Sequence, residues 1–295
     1  MTVYCGAEGR IKRPMLRSLI VWAGLIVLGL AALKVLVLLA EPRMAFFPFR
    51  GEDETPMRYG IRFEAITVNT ADGERLRAWW IPAERPRAHV VYFHGNGGNL
   101  SMWTPVLVGL HRQRFSVLAV DYRGYGLSTG RPSERGLYRD VEATLAYFDQ
   151  SYRRPRVPTI YWGRSLGTAM ASYAASRQAP DGIVLESGFP GARSLLRSYP
   201  VLWVFSWFAS YRFPTAEWMR GVAAPVLVIH GTNDSIVPYA QGRTLFEEIA
   251  GPKRFYAIQG GDHNDPVPLN AEAYWKAVDE FIASLRTPDL DPGNP

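Results

Sequence analysis

Cysteine is nearly absent: Cys5 is the single one in 295 residues. No intrachain disulfide and no cysteine metal site can therefore form. Cys5 is not placed as a lipoprotein cysteine either, since no apolar run precedes it. Histidine is scarce, with five residues, so imidazole chemistry has few candidates. Internal repeats are missing. The glycine-rich stretch Gly95-Asn96-Gly97-Gly98 lacks the G-x-G-x-x-G order and the chain has no Gly-Lys-Ser/Thr, so nucleotide-phosphate binding has no motif behind it. A strong basic excess is lacking too. The net charge is +6, but residues 1–40 hold five basic and one acidic side chain, leaving +2 for everything after them. Nothing in that balance suggests a nucleic-acid surface.

Residues 19–40 carry one charge, Lys34. At about 1.5 Å per residue they span about 33 Å, the hydrocarbon thickness of a bilayer. Arg10, Lys12, Arg13 and Arg17 precede them against Glu8 alone. The positive-inside rule then keeps residues 1–18 cytoplasmic and sends the rest across, into the periplasm if the cell is bacterial. Lys34, near the far end, can snorkel outward. A cleaved signal peptide is the competing reading, but the apolar run is long for an h-region and no A-x-A site follows it. Residues 41–62 read as a juxtamembrane segment, 63–286 as one globular domain, and 287–295 as a disordered tail.

Within that domain a hairpin comes first. Residues 63–70 alternate, Ala71-Asp72-Gly73 turns, and 75–81 returns. Continuous apolar runs follow at 89–93, 116–120, 159–162, 182–185, 225–229 and 253–258, as expected of strands covered on both faces. Helical stretches at 102–112, 133–150, 165–177, 239–250 and 270–285 lie between or after them. The pattern predicts eight strands, two antiparallel and then six parallel, with helices on both faces. One connection, 188–224, is longer and carries Tyr199, Trp203, Phe205, Trp207, Phe208, Tyr211, Phe213 and Trp218. It reads as a small helical lid, or as a cover for the sheet edge. Trp203, Trp207 and Phe208 are its candidates for contacting substrate.

The chemistry concentrates at Gly163-Arg164-Ser165-Leu166-Gly167. A buried strand precedes it and an Ala-rich helix follows, the setting in which G-x-S-x-G forms a sharp turn that thrusts its serine out. The glycines are needed where strand and helix crowd together. A serine hydroxyl is a weak nucleophile at neutral pH and needs a base, which in turn needs an orienting acid. His263 is the best base, in the loop just after the last strand. His89, His94, His111 and His230 sit in strands, at strand ends or on a helix, where structural roles are commoner. Asp234 follows a buried strand by a short loop and is the acid candidate, with Glu186 the runner-up. The chain order is then Ser165, Asp234, His263. An oxyanion would be met by the backbone N–H of Leu166 and, from the loop after the third strand, that of Asn96. No metal or other cofactor is called for.

Taken together, these motifs resemble the α/β hydrolases. The matching residues are His94-Gly95-Asn96-Gly97-Gly98-Asn99, Asp121-Tyr122-Arg123-Gly124-Tyr125-Gly126-Leu127-Ser128, the serine turn, Leu185-Glu186-Ser187, His230-Gly231-Thr232-Asn233-Asp234 with Val237-Pro238, and His263-Asn264-Asp265. Within that superfamily the chain is similar to a membrane-anchored group that includes protein depalmitoylases, lysophospholipid lipases and bacterial serine aminopeptidase-like hydrolases. The resemblance covers about residues 60–285. It departs from the group at Gly188, where proline is usual, and at Thr168, where a second glycine is common. It implies an anchored serine hydrolase cleaving an acyl ester or thioester through an acyl-enzyme, with no obligate protein partner. A peptidase or amidase, or a silent scaffold of the same fold, are the alternatives.

Overall fold

The computed structural model describes residues 13–265 and 271–285. The predicted tail and the start of the basic N-terminus lie outside the described residues. The apolar segment forms helix α1, Arg13–Ala45, overrunning the expected 19–40 span at both ends. Among the described residues it is the one helix long and apolar enough to cross a membrane.

Eight strands build the main sheet: β1 Glu64–Asn69, β2 Arg75–Ile81, β3 Ala88–Phe93, β4 Phe115–Val120, β5 Thr159–Arg164, β6 Gly182–Glu186, β7 Val226–Gly231 and β8 Lys253–Ile258. Their spatial order is β8-β7-β6-β5-β3-β4-β2-β1. β2 is antiparallel to both its neighbours, β1 and β4. The expected pair of antiparallel strands is therefore seven strands in one direction and a single reversed one. The reason is topological: β1 enters by a tight hairpin, and a second reversal returns the chain to the common direction at β3.

Alternate side chains of each buried strand feed opposite cores. Val91 and Phe93 of β3 join Leu137 and Val141 of α3 (Glu134–Ser151) and Ala169 and Met170 of α4 (Leu166–Arg177). Val90 and Tyr92 join Leu107 of α2 (Leu100–Arg112) and Val278 and Phe281 of α9 (Ala271–Ser284) on the other face. Strands hydrophobic on both faces are what such a sandwich demands. Asn99 caps α2 by accepting from the Met102 N–H, and Ser133 caps α3 by accepting from the Gly136 N–H.

The long connection is helical, as expected: α5 Ala192–Arg197, α6 Pro200–Trp203, a 3₁₀ turn Phe205–Trp207 and α7 Thr215–Met219. α8, Tyr239–Glu248, then leads to β8. An unexpected feature is a two-residue parallel pairing of Phe47–Pro48, just past α1, with Gly97–Gly98 of the glycine loop. Lys34 does not snorkel away. Its ammonium donates to the Phe208 carbonyl and the Ser210 hydroxyl of the lid.

Candidate active site

Ser165 stands between β5 and α4 with φ 55° and ψ −119°, outside the regions an L-residue prefers. Close packing forces this turn. A Cβ on Gly163 would lie 2.1 Å from the Gly167 carbonyl oxygen, and one on Gly167 would lie 1.9 Å from that of Phe93. The two family departures explain each other. A Cβ on Gly188 would sit 2.9 Å from Thr168 Oγ1, so the threonine occupies room that a ring at 188 would need.

The structure brings Ser165, His263 and Asp234 together, all buried. His263 Nδ1 lies 2.8 Å from Asp234 Oδ2, and Nε2 lies 3.0 Å from Ser165 Oγ. An ionised carboxylate can only accept, so Nδ1 carries the ring proton and Nε2 accepts from the serine hydroxyl. Burial alone would raise the Asp234 carboxyl. Hydrogen bonds from His230, His263 and the Val237 N–H outweigh it and hold the group well below the usual carboxylate range. Asp234 Oδ1 also accepts the Ile236 N–H at 3.0 Å.

Glu186, the runner-up acid, is elsewhere. It accepts from Trp162 Nε1 at 3.4 Å and the Tyr274 hydroxyl at 3.3 Å, and faces the Arg164 guanidinium at 3.8 Å. Arg164 was a neutral position in the sequence motif, yet its Nη2 donates to the main-chain carbonyls of His263 at 2.8 Å and Asp265 at 3.1 Å. It also lies over the Trp103 ring, 5.5 Å from its centroid. Burial works against its charge, but Glu186 and its neighbours more than offset that and hold the proton on. The histidine loop is therefore clamped by the residue next to the serine. His230 is a second residue missed as functional. Its Nε2–H donates to the Val237 carbonyl at 2.8 Å and lies 3.4 Å from Asp234 Oδ2.

The glycine loop is held by its carbonyls. The Tyr122 hydroxyl donates to His94 O, while Tyr125 and the Phe47 N–H both donate to Asn96 O. The side-chain amide of Asn96 donates to Ala45 O at 3.3 Å. Among the described residues, neither the N–H of Asn96 nor that of Leu166 at the start of α4 donates a backbone hydrogen bond. Of the lid candidates, Trp203 and Trp207 are exposed and meet edge to face at 5.9 Å, while Phe208 is half-buried. Among the described residues no hydrogen bond or ring contact joins the three to Ser165 or His263. A cleft of about 260 Å³ borders Arg164, Glu186, Ser187, Asp265 and Tyr274 from behind, without reaching the serine. No cluster of three His, Cys, Asp or Glu side chains suited to a metal occurs among the described residues.

A sheet in this order, with a strained serine at the end of its fifth strand, defines an α/β hydrolase. The chain belongs to that family, whose profile, described as alpha/beta hydrolase fold, matches residues 88–221. A Mycobacterium tuberculosis protein is 34% identical over 245 residues, covering 82% of this chain and 87% of its own. An uncharacterized membrane protein of Saccharomyces cerevisiae is 31% identical over 79% of this chain and 84% of its own. Human alpha/beta hydrolase domain-containing protein 17B is 28% identical over 75% of each chain. In structure, an esterase of Pyrococcus furiosus superposes with a TM-score of 0.66 at 19% identity, over 82% of this chain and 98% of that one.

Proposed function

We propose that this hydrolase is a single-pass, membrane-anchored serine esterase or thioesterase acting on acyl-chain substrates. The observation that carries the reading is the hydrogen-bonded line from Ser165 through His263 to Asp234, set on a strained turn. His263 takes the serine proton as Oγ attacks the acyl carbonyl. The imidazolium so formed is stabilised by Asp234, then gives its proton to the departing alcohol or thiol, leaving an acyl-enzyme. Water, activated by the same histidine, releases the acid. The N–H groups of Asn96 and Leu166 receive the tetrahedral oxyanion. Anchoring by α1, with the domain on the non-cytoplasmic side, supplies substrate from the bilayer. The lid aromatics Trp203, Trp207 and Phe208 are the candidates for the acyl chain.

The test is covalent. Wild-type protein should take one fluorophosphonate label and hydrolyse nitrophenyl acyl esters. Ser165→Ala should lose the label, and it and His263→Ala should each lower kcat on the order of 10⁴- to 10⁶-fold, since triad members act as a unit. Undiminished labelling of Ser165→Ala would overturn the assignment.

A further inference from the structure

We propose that the mouth of the active site is pressed into the leaflet from which α1 emerges, so that an acyl substrate enters sideways from lipid. The inference rests on the anchor reading above and adds a depth and an orientation to it. The first support is the union of lid and helix. Lys34 donates to Phe208 O and to Ser210 Oγ at 2.9 Å, and Glu41 accepts the N–H groups of Ser210 and Tyr211. The Phe46 ring packs on Tyr211 at 5.5 Å and on Phe213 at 6.3 Å. Lys34 comes six residues before Ala40, or about 9 Å inside the apolar boundary at 1.5 Å per residue. A lysine at that depth must find polar partners, and the lid supplies them. The lid segment is thereby held below the headgroups.

The second support is what the lid shows to its surroundings. Residues 199–210 contain no charged side chain. Val201 is 80% exposed, Trp207 64%, Val204 51% and Trp203 48%. Water is a poor neighbour for such a patch, and lipid a good one. The patch continues across the site. Phe47, paired with Gly97 beside Asn96, and Phe49, just past the pairing, are both exposed. Exposed Ile236 follows Asp234 by two residues, and its carbonyl accepts from the Tyr199 hydroxyl at the root of the lid. Apolar side chains therefore border the triad on the oxyanion side and on the acid side, and both borders run into the anchor. The occupant that fits is the bilayer itself. Charge returns at Arg197, whose guanidinium lies 5.8 Å from the Trp207 ring centroid, where headgroups would begin.

The test places probes on the full chain in phosphatidylcholine vesicles. In a Cys5→Ser background, single cysteines at Val204 on the lid, Leu28 in α1 and Gln150 at the end of α3 carry an environment-sensitive fluorophore. Nitroxide lipids should quench the probes at 204 and 28, and aqueous iodide the probe at 150. Iodide quenching at 204 with lipid quenching at 28 would overturn the immersed mouth and leave the anchor standing. Iodide quenching at 28 would overturn the anchor, and the immersed mouth with it. Activity gives a second reading. Val201→Glu with Val204→Glu should reduce turnover of a long-chain ester embedded in vesicles at least tenfold, while a water-soluble butyrate ester is cleaved as before. Equal turnover of the embedded ester by wild type and variant would count against lateral entry.

Discussion

Replacing Arg164 by methionine separates clamping from folding. The side chain is 10% exposed, so its interactions are little screened by water. Two hydrogen bonds from a charged donor disappear, each typically about 1.5–3 kcal/mol. Glu186 is left buried with neutral donors alone, and breaking a buried ion pair costs about 3–5 kcal/mol. These overlap, and the separation of 3.8 Å in the pair argues for the lower end, so about 4 kcal/mol is expected. A domain with about 5–15 kcal/mol in hand still folds. Activity suffers differently. Without Nη2 on its carbonyl, His263 is no longer held 3.0 Å from Ser165 Oγ, and a misplacement of about 1 Å costs about 10²-fold in rate. The effect should fall on kcat, with KM nearly unchanged. Adding Glu186→Gln removes the uncompensated charge and should restore about half of the lost stability, but none of kcat. The assay is urea denaturation in micelles followed by tryptophan fluorescence, beside steady-state kinetics on a short nitrophenyl ester. If kcat recovered in step with stability in the double variant, Arg164 would be a structural residue and the clamp would be wrong.

Other outcomes follow from the same geometry. Asp234→Asn should lower kcat about 10⁴-fold by stabilising the wrong imidazole tautomer, with the proton on Nε2, whereas Glu186→Gln alone should cost little activity; a crippled Glu186→Gln beside a working Asp234→Asn would move the acid. Gly167→Ala drives a Cβ to 1.9 Å from the Phe93 carbonyl and should destabilise by at least about 1–3 kcal/mol, while Gly97→Ala meets nothing within 4 Å; equal melting temperatures for the two would refute the steric account of the turn. Alanine at Trp203, Trp207 or Phe208 should raise KM for long-chain esters and spare short ones, and an unaltered chain-length profile in all three would remove the lid from substrate recognition.

What the sequence disclosed was local. Strands buried on both faces show as unbroken apolar runs, and the serine turn as two glycines around one serine, because a steric demand between neighbours leaves its mark within five residues. What stayed hidden depends on residues far apart in the chain. Lys34 reads as a stray charge in an apolar helix until Phe208 and Ser210 meet it. Arg164 fills the free position of a motif, and its clamp on His263 and Asp265 spans a separation no pattern reports. The direction of β1 could not be read either, since a hairpin fixes relative orientation and says nothing of the sheet it joins. Gly188 and Thr168 looked like two independent departures and are one contact.

The stretch just past α1 changes what the helix can transmit. Phe47 donates to Asn96 O and Phe49 to Gly98 O, while Asn96 reaches back to Ala45. A pull along the helix axis therefore arrives at the glycine loop through Phe46, itself anchored in one of the hydrophobic cores, and a few hydrogen bonds. Bilayer thickness, lateral pressure and curvature all load a spanning helix. With α1 spanning the bilayer as proposed, those mechanical variables would end on the peptide proposed to receive the oxyanion, and the tether would also be a lever. On that reading, a cut made flush with the end of the helix would both release the domain and slacken the loop proposed to wall its catalytic centre.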